Sequence, residues 1–232
     1  AEAQDYRFFS SKGVDPWTKG QLTLLKATAK NTGTSAPTTN VGKVLVVNST
    51  IFVIDGTSVK YTSSLSGNWT TITSPAGTTA LKDLASDGTV LFACFTATTS
   101  GVYSTPVASP GTWTRMVHDD LDKIRYVNGR LMGSDAHILY DASVRAYSSG
   151  AIAAGDTILT HRNTSFVWVG FAGGNTHIYA AGYAGDVSLI YKTSIKTDAT
   201  SLDAPSVAAQ LPLGEIVSGI DSYLGFVFIG TN

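Results

Sequence analysis

The chain has 232 residues, of which 43% are apolar and only 14% charged, against roughly 25% charged in an ordinary soluble domain. That length supports one large core and is too short for three ordinary domains. Sixteen basic and seventeen acidic residues leave a net charge of -1, which gives no electrostatic footprint for nucleic acid or an anionic membrane. The uncharged stretches 61–81 and 88–114 are rich in Thr, Ser, Gly and Pro, which a bilayer-spanning helix does not carry in such numbers.

Residue usage points to strands. Fifteen of the acidic residues are Asp and only Glu2 and Glu215 are Glu; Glu suits helix surfaces, whereas Asp suits turns and caps. Twenty-three Gly, with abundant Thr, Val, Tyr and Phe, supply the tight turns and the β-branched and aromatic content of short strands. An all-β fold follows.

In chain order, the start AEAQDYRFF has neither an initiator Met nor an apolar signal core, so a processed chain, or the ordered part of a longer one, is expected. Residues 28–40 (TAKNTGTSAPTTN) are poor in large apolar side chains and read as a surface connection. From residue 41 a unit of about forty residues recurs. An apolar strand, a polar turn and a second apolar strand come first: 44–47 then 51–54, 81–85 then 90–95, 124–127 then 130–132, 166–169 then 178–181. The turns carry Asn48, Asp87-Gly88, Asn128-Gly129 and Gly173-Gly174-Asn175, residues that tolerate positive φ in hairpins. A tyrosine in a third strand follows (Tyr61, Tyr103, Tyr140, Tyr191), and in the first two copies a Gly-x-Trp-Thr leads into a fourth (Trp69, Trp113). The paired tyrosines Tyr61 and Tyr103 are 42 residues apart and the tryptophans 44.

Four-stranded antiparallel units at this period are the signature of a β-propeller, whose blades pack radially on one another; a β-sandwich is the competing all-β arrangement. Residues 215–230 copy only the first half of a blade, while residues 6–18 copy only the second half, with Phe9 to Trp17 spaced by 8 residues as Tyr61 is from Trp69. Five blade-equivalents are therefore expected, the last divided between the termini. Residues 1–27 supply a closing or truncated half-blade, 28–40 the linker, and 41–232 the blades. Trp17, Trp69, Trp113, Tyr61, Tyr103, Tyr140 and Tyr191 read as structural anchors of the repeat rather than sugar-stacking platforms.

No constellation of catalytic residues is complete, so neither an enzyme nor a cofactor is expected. His118, His137, His161 and His177 lie on separate units without a metal-ligand neighbour. Asp119, Asp120 and Asp122 form the one candidate for a calcium ion, through oxygen ligands on a turn, although a solvated Asp-rich turn accounts for them as well. Gly170 to Asn175 lacks the following helix that a phosphate-cradling loop needs and reads as a hairpin turn. Cys94, the only cysteine, lies in an apolar run and reads as a core residue.

The Tyr-Thr strand followed by Ser63-Ser64-Leu65-Ser66-Gly67-Asn68-Trp69 resembles the Asp-box of sialidase-type propellers, with Leu65 where the box has Asp. The phrase Gly13-Val14-Asp15-Pro16-Trp17-Thr18-Lys19-Gly20-Gln21-Leu22-Thr23-Leu24-Leu25, followed by a Thr-rich linker and weak blades, resembles the propeller-containing minor tail proteins of long-tailed bacteriophages that infect actinobacteria. That second resemblance implies a non-enzymatic structural protein of the virion tail tip, an assembly platform or host contact. It also implies several copies per particle, other tail proteins as partners and a host cell-surface glycan as a further possible one. A carbohydrate-binding or sialidase-like propeller and a bacterial adhesin module are the alternative functions.

Overall fold

A computed structural model describes residues 14–15, 23–24, 33–38, 41–64, 67–97, 99–117, 119–143, 156–197 and 201–232. Four consecutive four-stranded antiparallel sheets and a terminal hairpin account for nearly all of them. The first sheet holds β3 (Val41–Val47), β4 (Thr50–Asp55), β5 (Ser58–Thr62) and β6 (Thr70–Ile72). The second holds β7 (Thr78–Ser86), β8 (Val90–Ala97), β9 (Gly101–Pro106) and β10 (Thr114–Val117). β11 (Lys123–Val127), β12 (Arg130–Asp135), β13 (Ile138–Asp141) and β14 (Asp156–Thr160) form the third. β15 (Val167–Gly173), β16 (Ile178–Ala184), β17 (Val187–Thr193) and β18 (Ser206–Gln210) form the fourth. The fifth unit is the hairpin β19 (Val217–Tyr223) and β20 (Phe226–Thr231). Two short strands near the start, β1 (Val14–Asp15) and β2 (Thr23–Leu24), pair with each other.

Within each sheet the strands run in sequence order, so every connection is a hairpin. The turn chemistry explains the registers. Asn48 and Ser49 close the β3–β4 turn at φ 48° and 65°, and Asn128 and Gly129 close β11–β12 at 48° and 79°, the left-handed pairs that match the twist of two-residue hairpins. Asp87 bridges the longer β7–β8 turn by accepting the backbone N–H groups of Thr89 and Val90 at 2.8 and 2.7 Å, a local side-chain bond of the kind that favours Asp in turns.

The sheets stand side by side with their first strands innermost: β3 adjoins β7, β7 adjoins β11, β11 adjoins β15 and β15 adjoins β19. Alternating side chains on one strand therefore serve two different apolar layers. Phe52, Leu84, Leu91 and Phe95 fill the layer between the first and second sheets. Phe92, Cys94, Leu121 and Ile124 fill the next, followed by Met132, Leu139, Phe166 and Trp168, and then Ala181, Ile190, Val217 and Ile220. Burying one such side chain contributes about 1.5–3 kcal/mol. Strands covered on both faces leave few places for charge, which accounts for the low charged fraction.

The all-β, four-stranded expectation holds, and radial stacking replaces the sandwich alternative. Of the N-terminal half-blade read over residues 1–27, only β1 and β2 belong to the described residues; Trp17 lies outside them. The linker is described over 33–38, where it lies along the first sheet. The Trp69 backbone N–H donates to the Thr34 carbonyl at 3.0 Å, the Thr38 backbone N–H donates to the Asp55 carboxylate at 3.3 Å, and Lys60 reaches the Ala36 carbonyl at 3.4 Å.

Candidate functional site at the inner strands

The innermost strands of all five units line one polar cavity of about 290 Å³, with Lys43, Lys82, Asp83, Lys123, Arg125 and Ser218 in its wall. Bulges shape it. The pairing skips residues between Val41 and Val44 in β3, Leu81 and Asp83 in β7, Trp168 and Gly170 in β15, and Val217 and Gly219 in β19. The skipped residues Lys43, Lys82, Val169 and Ser218 all line the cavity. A bulge leaves one residue unpaired and re-aims its side chain, which is how charged groups leave otherwise apolar strands at this point.

The charges converge as bridges between sheets. Asp83 on β7 takes the Lys43 ammonium of β3 at 2.6 Å. It also accepts its neighbour Leu84 N–H at 2.8 Å and, across to β11, the Ile124 N–H at 2.9 Å. Lys82 reaches Asp122 at 2.6 Å and Asp120 at 3.2 Å. Arg125 on β11 donates to the Phe171 carbonyl of β15 at 2.9 Å and the Ile220 carbonyl of β19 at 3.2 Å, and it pairs with Asp221. Three side chains thus tie all five units together. Lys123 lines the same cavity without an ion pair among the described residues.

The titration behaviour follows from these contacts. Burial alone would lower the Lys82 pKa, but hydrogen bonds and charge from Asp122 and Asp120 outweigh it and hold the ammonium above its ordinary value. The hydrogen bond from Arg125, helped by the Ser222 N–H, keeps the Asp221 carboxyl below the ordinary range. Asp135 is pushed up by burial and then by the charges of Asp122 and Asp120. Burial also drives the Cys94 thiol well above its usual value, which removes it as a nucleophile.

Of the calcium candidates Asp119, Asp120 and Asp122, the last two close on the Lys82 ammonium at 3.2 and 2.6 Å. Among the described residues no group of three or more His, Cys, Asp or Glu side chains could hold a metal ion. His161 stacks on Phe166 with ring centroids 3.9 Å apart, His177 lies beside Tyr179, and His118 is outside the described residues. Gly170 to Asn175 runs through the end of β15 into the turn before β16, where the Gly174 N–H bonds to the His177 carbonyl at 2.8 Å.

Tyr61, Tyr103, Tyr140 and Tyr191 each sit in the third strand of their sheet. Trp69 and Trp113 stand just before the fourth strands and are buried. Phe95 meets both Tyr103 and Trp113 edge-on at 5.4 Å, and Trp168 meets Tyr191 at 5.5 Å. The indole N–H groups of Trp69, Trp113 and Trp168 are buried without a hydrogen-bond partner.

A second set of inter-sheet contacts was invisible in the sequence. At the hairpin turns beside the inner strands, Asn48 donates to the Gly88 carbonyl of the next sheet at 2.6 Å. Asn128 donates likewise to the Gly174 carbonyl at 3.0 Å and to His177 at 3.3 Å. A Cβ on Gly173 would lie 2.4 Å from Asn128 Oδ1, and one on Gly225 would lie 2.3 Å from Asn175 Oδ1, so each asparagine presses on a glycine of the following turn.

No family model matches the chain, and no curated protein matches it. Solved structures do. The WD40 domain of Neurospora crassa Pan2 aligns with 78% of this chain and 54% of its own at 8% identity and a TM-score of 0.51. The chain has a β-propeller fold. PorZ, an essential bacterial surface component of the type-IX secretion system of Porphyromonas gingivalis, aligns over 82% of this chain and 23% of its own, at 13% identity and a TM-score of 0.50. An auxiliary nutrient-binding protein from Bacteroides ovatus aligns over 75% and 43%, at 10% identity and a TM-score of 0.49. This propeller therefore spans about half or less of each of those chains, and at such identities the likeness is one of fold alone.

Proposed function

We propose that this propeller is a non-enzymatic scaffold whose blades hold a rigid surface for assembly with other proteins, in the tail tip of a bacteriophage. The observation that carries the scaffold reading is the inner cavity. Asp83, Lys82 and Arg125, the groups best placed there for acid, base or anion-binding chemistry, each bridge consecutive blades. A catalytic carboxylate pair needs room for substrate between its members, whereas Asp83 and Asp122 are engaged by lysine side chains and, for Asp83, by a backbone N–H of the next blade. The tail-tip part of the reading is supported by the resemblance carried by residues 13–25, and by the low charge and high Thr and Gly content of the chain.

Purified particles of the phage whose genome encodes the chain test this reading. Mass spectrometry of gradient-banded virions is expected to find its peptides at a fixed stoichiometry to other tail proteins. Peptides confined to the soluble fraction of the lysate would overturn it.

A further inference from the structure

Three turn asparagines reach the following blade, and one of them precedes a glycine. Asn48 donates to the Gly88 carbonyl at 2.6 Å, and Asn128 to the Gly174 and His177 carbonyls at 3.0 and 3.3 Å. Asn175 lies against Gly225, where a Cβ would come within 2.3 Å of its Oδ1. The residues that follow these asparagines are Ser49, Gly129 and Thr176, and Asn128-Gly129 is the only Asn-Gly pair in the chain. An Asn-Gly pair is particularly open to attack of the next backbone nitrogen on the side-chain amide, because glycine puts no side chain in the way.

The turn permits this attack and the contact with the next blade opposes it. Asn128 and Gly129 stand at φ 48° and 79° as the two central residues of the hairpin, beyond Val127 and Arg130, the last pair of the β11–β12 ladder. A Cβ on Gly129 would meet nothing within 4 Å, so there is open space beside the attacking residue. The side-chain amide is held elsewhere. Its Nδ2 donates across to the fourth blade, and its Oδ1 would lie 2.4 Å from a Cβ on Gly173. Ring closure expels Nδ2, the atom that makes both bonds to the fourth blade, so the reaction and the contact exclude each other.

We propose that Asn128-Gly129 is a spontaneous deamidation site whose rate is set by the contact between the third and fourth blades. The Gly129 nitrogen gives up its proton and bonds to Asn128 Cγ, the Cγ–Nδ2 bond breaks, and ammonia leaves with that proton. Water then opens the five-membered imide at either carbonyl and leaves aspartate or isoaspartate at position 128, with nothing oxidised or reduced. Both products lose the contact. A carboxylate has no N–H to donate, so its oxygens face the carbonyl oxygens of Gly174 and His177, and isoaspartate also lengthens the main chain of a turn whose length sets the strand register. Deamidation therefore releases the turn between β15 and β16 from the third blade. The inference concerns the isolated chain and does not rest on the tail-tip reading.

Peptide mapping by mass spectrometry of the full chain held in mildly alkaline buffer, folded and in urea, tests the proposal. In urea Asn128 is expected to convert severalfold faster than Asn48 or Asn175, into a mixture of aspartate and isoaspartate. In the folded chain it is expected to convert at least about tenfold more slowly than in urea, since the reaction waits for local opening of the turn. Gly173→Ala, whose methyl presses on Asn128 Oδ1, is expected to speed the folded-state conversion at least about threefold, with hydrogen exchange of residues 41–62 as in the wild type. Asn128→Asp copies one product and suits the left-handed turn; it is expected to speed amide exchange of residues 173–178 at least about threefold through the bonds lost. Equal conversion rates in the folded and urea-treated chains overturn the proposal. So does a folded-state rate that Gly173→Ala leaves unchanged, or raises only together with exchange of residues 41–62, and so does unaltered exchange of residues 173–178 in Asn128→Asp.

Discussion

Asp83 and Ile124 are joined across two blades: the Asp83 carboxylate on β7 accepts the backbone N–H of Ile124 on β11 at 2.9 Å. The same carboxylate holds Lys43 of the first blade at 2.6 Å, so one side chain fastens three consecutive sheets. Replacing it by Ala leaves the Ile124 N–H and the Lys43 ammonium without this partner. A stability loss of about 2–3 kcal/mol is expected from the charge-assisted bonds removed. Asp83→Asn keeps an acceptor for Ile124 and is expected to lose about half as much. Urea titration of the three proteins measures both values, and equal losses for the two variants would count against the bridge to Ile124.

The Asn128 hook and Gly173 form a coupled pair. A methyl group at Gly173 would collide with Asn128 Oδ1 at 2.4 Å, while Asn128→Ala removes the bonds to Gly174 and His177 and costs about 1 kcal/mol. Gly173→Ala alone is expected to cost about 1–3 kcal/mol through overpacking. In the double variant the collision is gone, so the combined loss is expected to fall short of the sum by more than about 0.5 kcal/mol. Strict additivity in a double-mutant cycle would refute the contact.

Trp113 is expected to tolerate Phe far better than Ala. Its indole N–H is buried without a partner, so Trp113→Phe removes no hydrogen bond and keeps an aromatic edge against Phe95. Truncation to Ala empties the site, at about 3–5 kcal/mol, and the Phe variant is expected to lose less than half of that in thermal or urea unfolding.

Two carboxylates give opposite pH signatures. Asp221 has a depressed pKa in the folded chain, so its contribution is present above the unfolded-state value and is lost as pH falls through the depressed one. Asp221→Asn is therefore expected to flatten the acid limb of the stability curve. Asp135 has a raised pKa; folding favours its protonated form, and stability falls as pH rises from the ordinary carboxylate value through the raised one. Asp135→Asn is expected to raise the melting temperature at neutral pH and to change it little near pH 3. Melting curves at both pH values check the two signs.

The repeat was legible because blade packing needs the same residue types at the same places. Tyr61 and Tyr103 sit in third strands, Trp69 and Trp113 at the entries to fourth strands, and Asn128-Gly129 at a left-handed turn, all positions set by local chemistry. β14 and β18 carried no such mark: they lack the tryptophan, and the sequence offered nothing else to place them. The inner cavity was illegible for a different reason. Lys43, Lys82 and Ser218 reach it only because bulges interrupt the alternation of their strands, and a bulge leaves no residue signature here. The acidic turn at 119–122 looked like a cation site because its cation, Lys82, lies 38 residues from Asp120 in the chain.

Arg125 offers the most direct test of the view that the inner charges join blades. Its guanidinium links β11 to the Phe171 and Ile220 carbonyls and to Asp221, so the terminal hairpin is held from the third blade. Native-state hydrogen exchange of Arg125→Met against the wild type is expected to show amides of residues 217–231 exchanging at least about tenfold faster, the signature of roughly 1.4 kcal/mol lost from local opening, with residues 41–62 unchanged. Unchanged protection of residues 217–231 would contradict the account and return the cavity's charges to the search for a ligand.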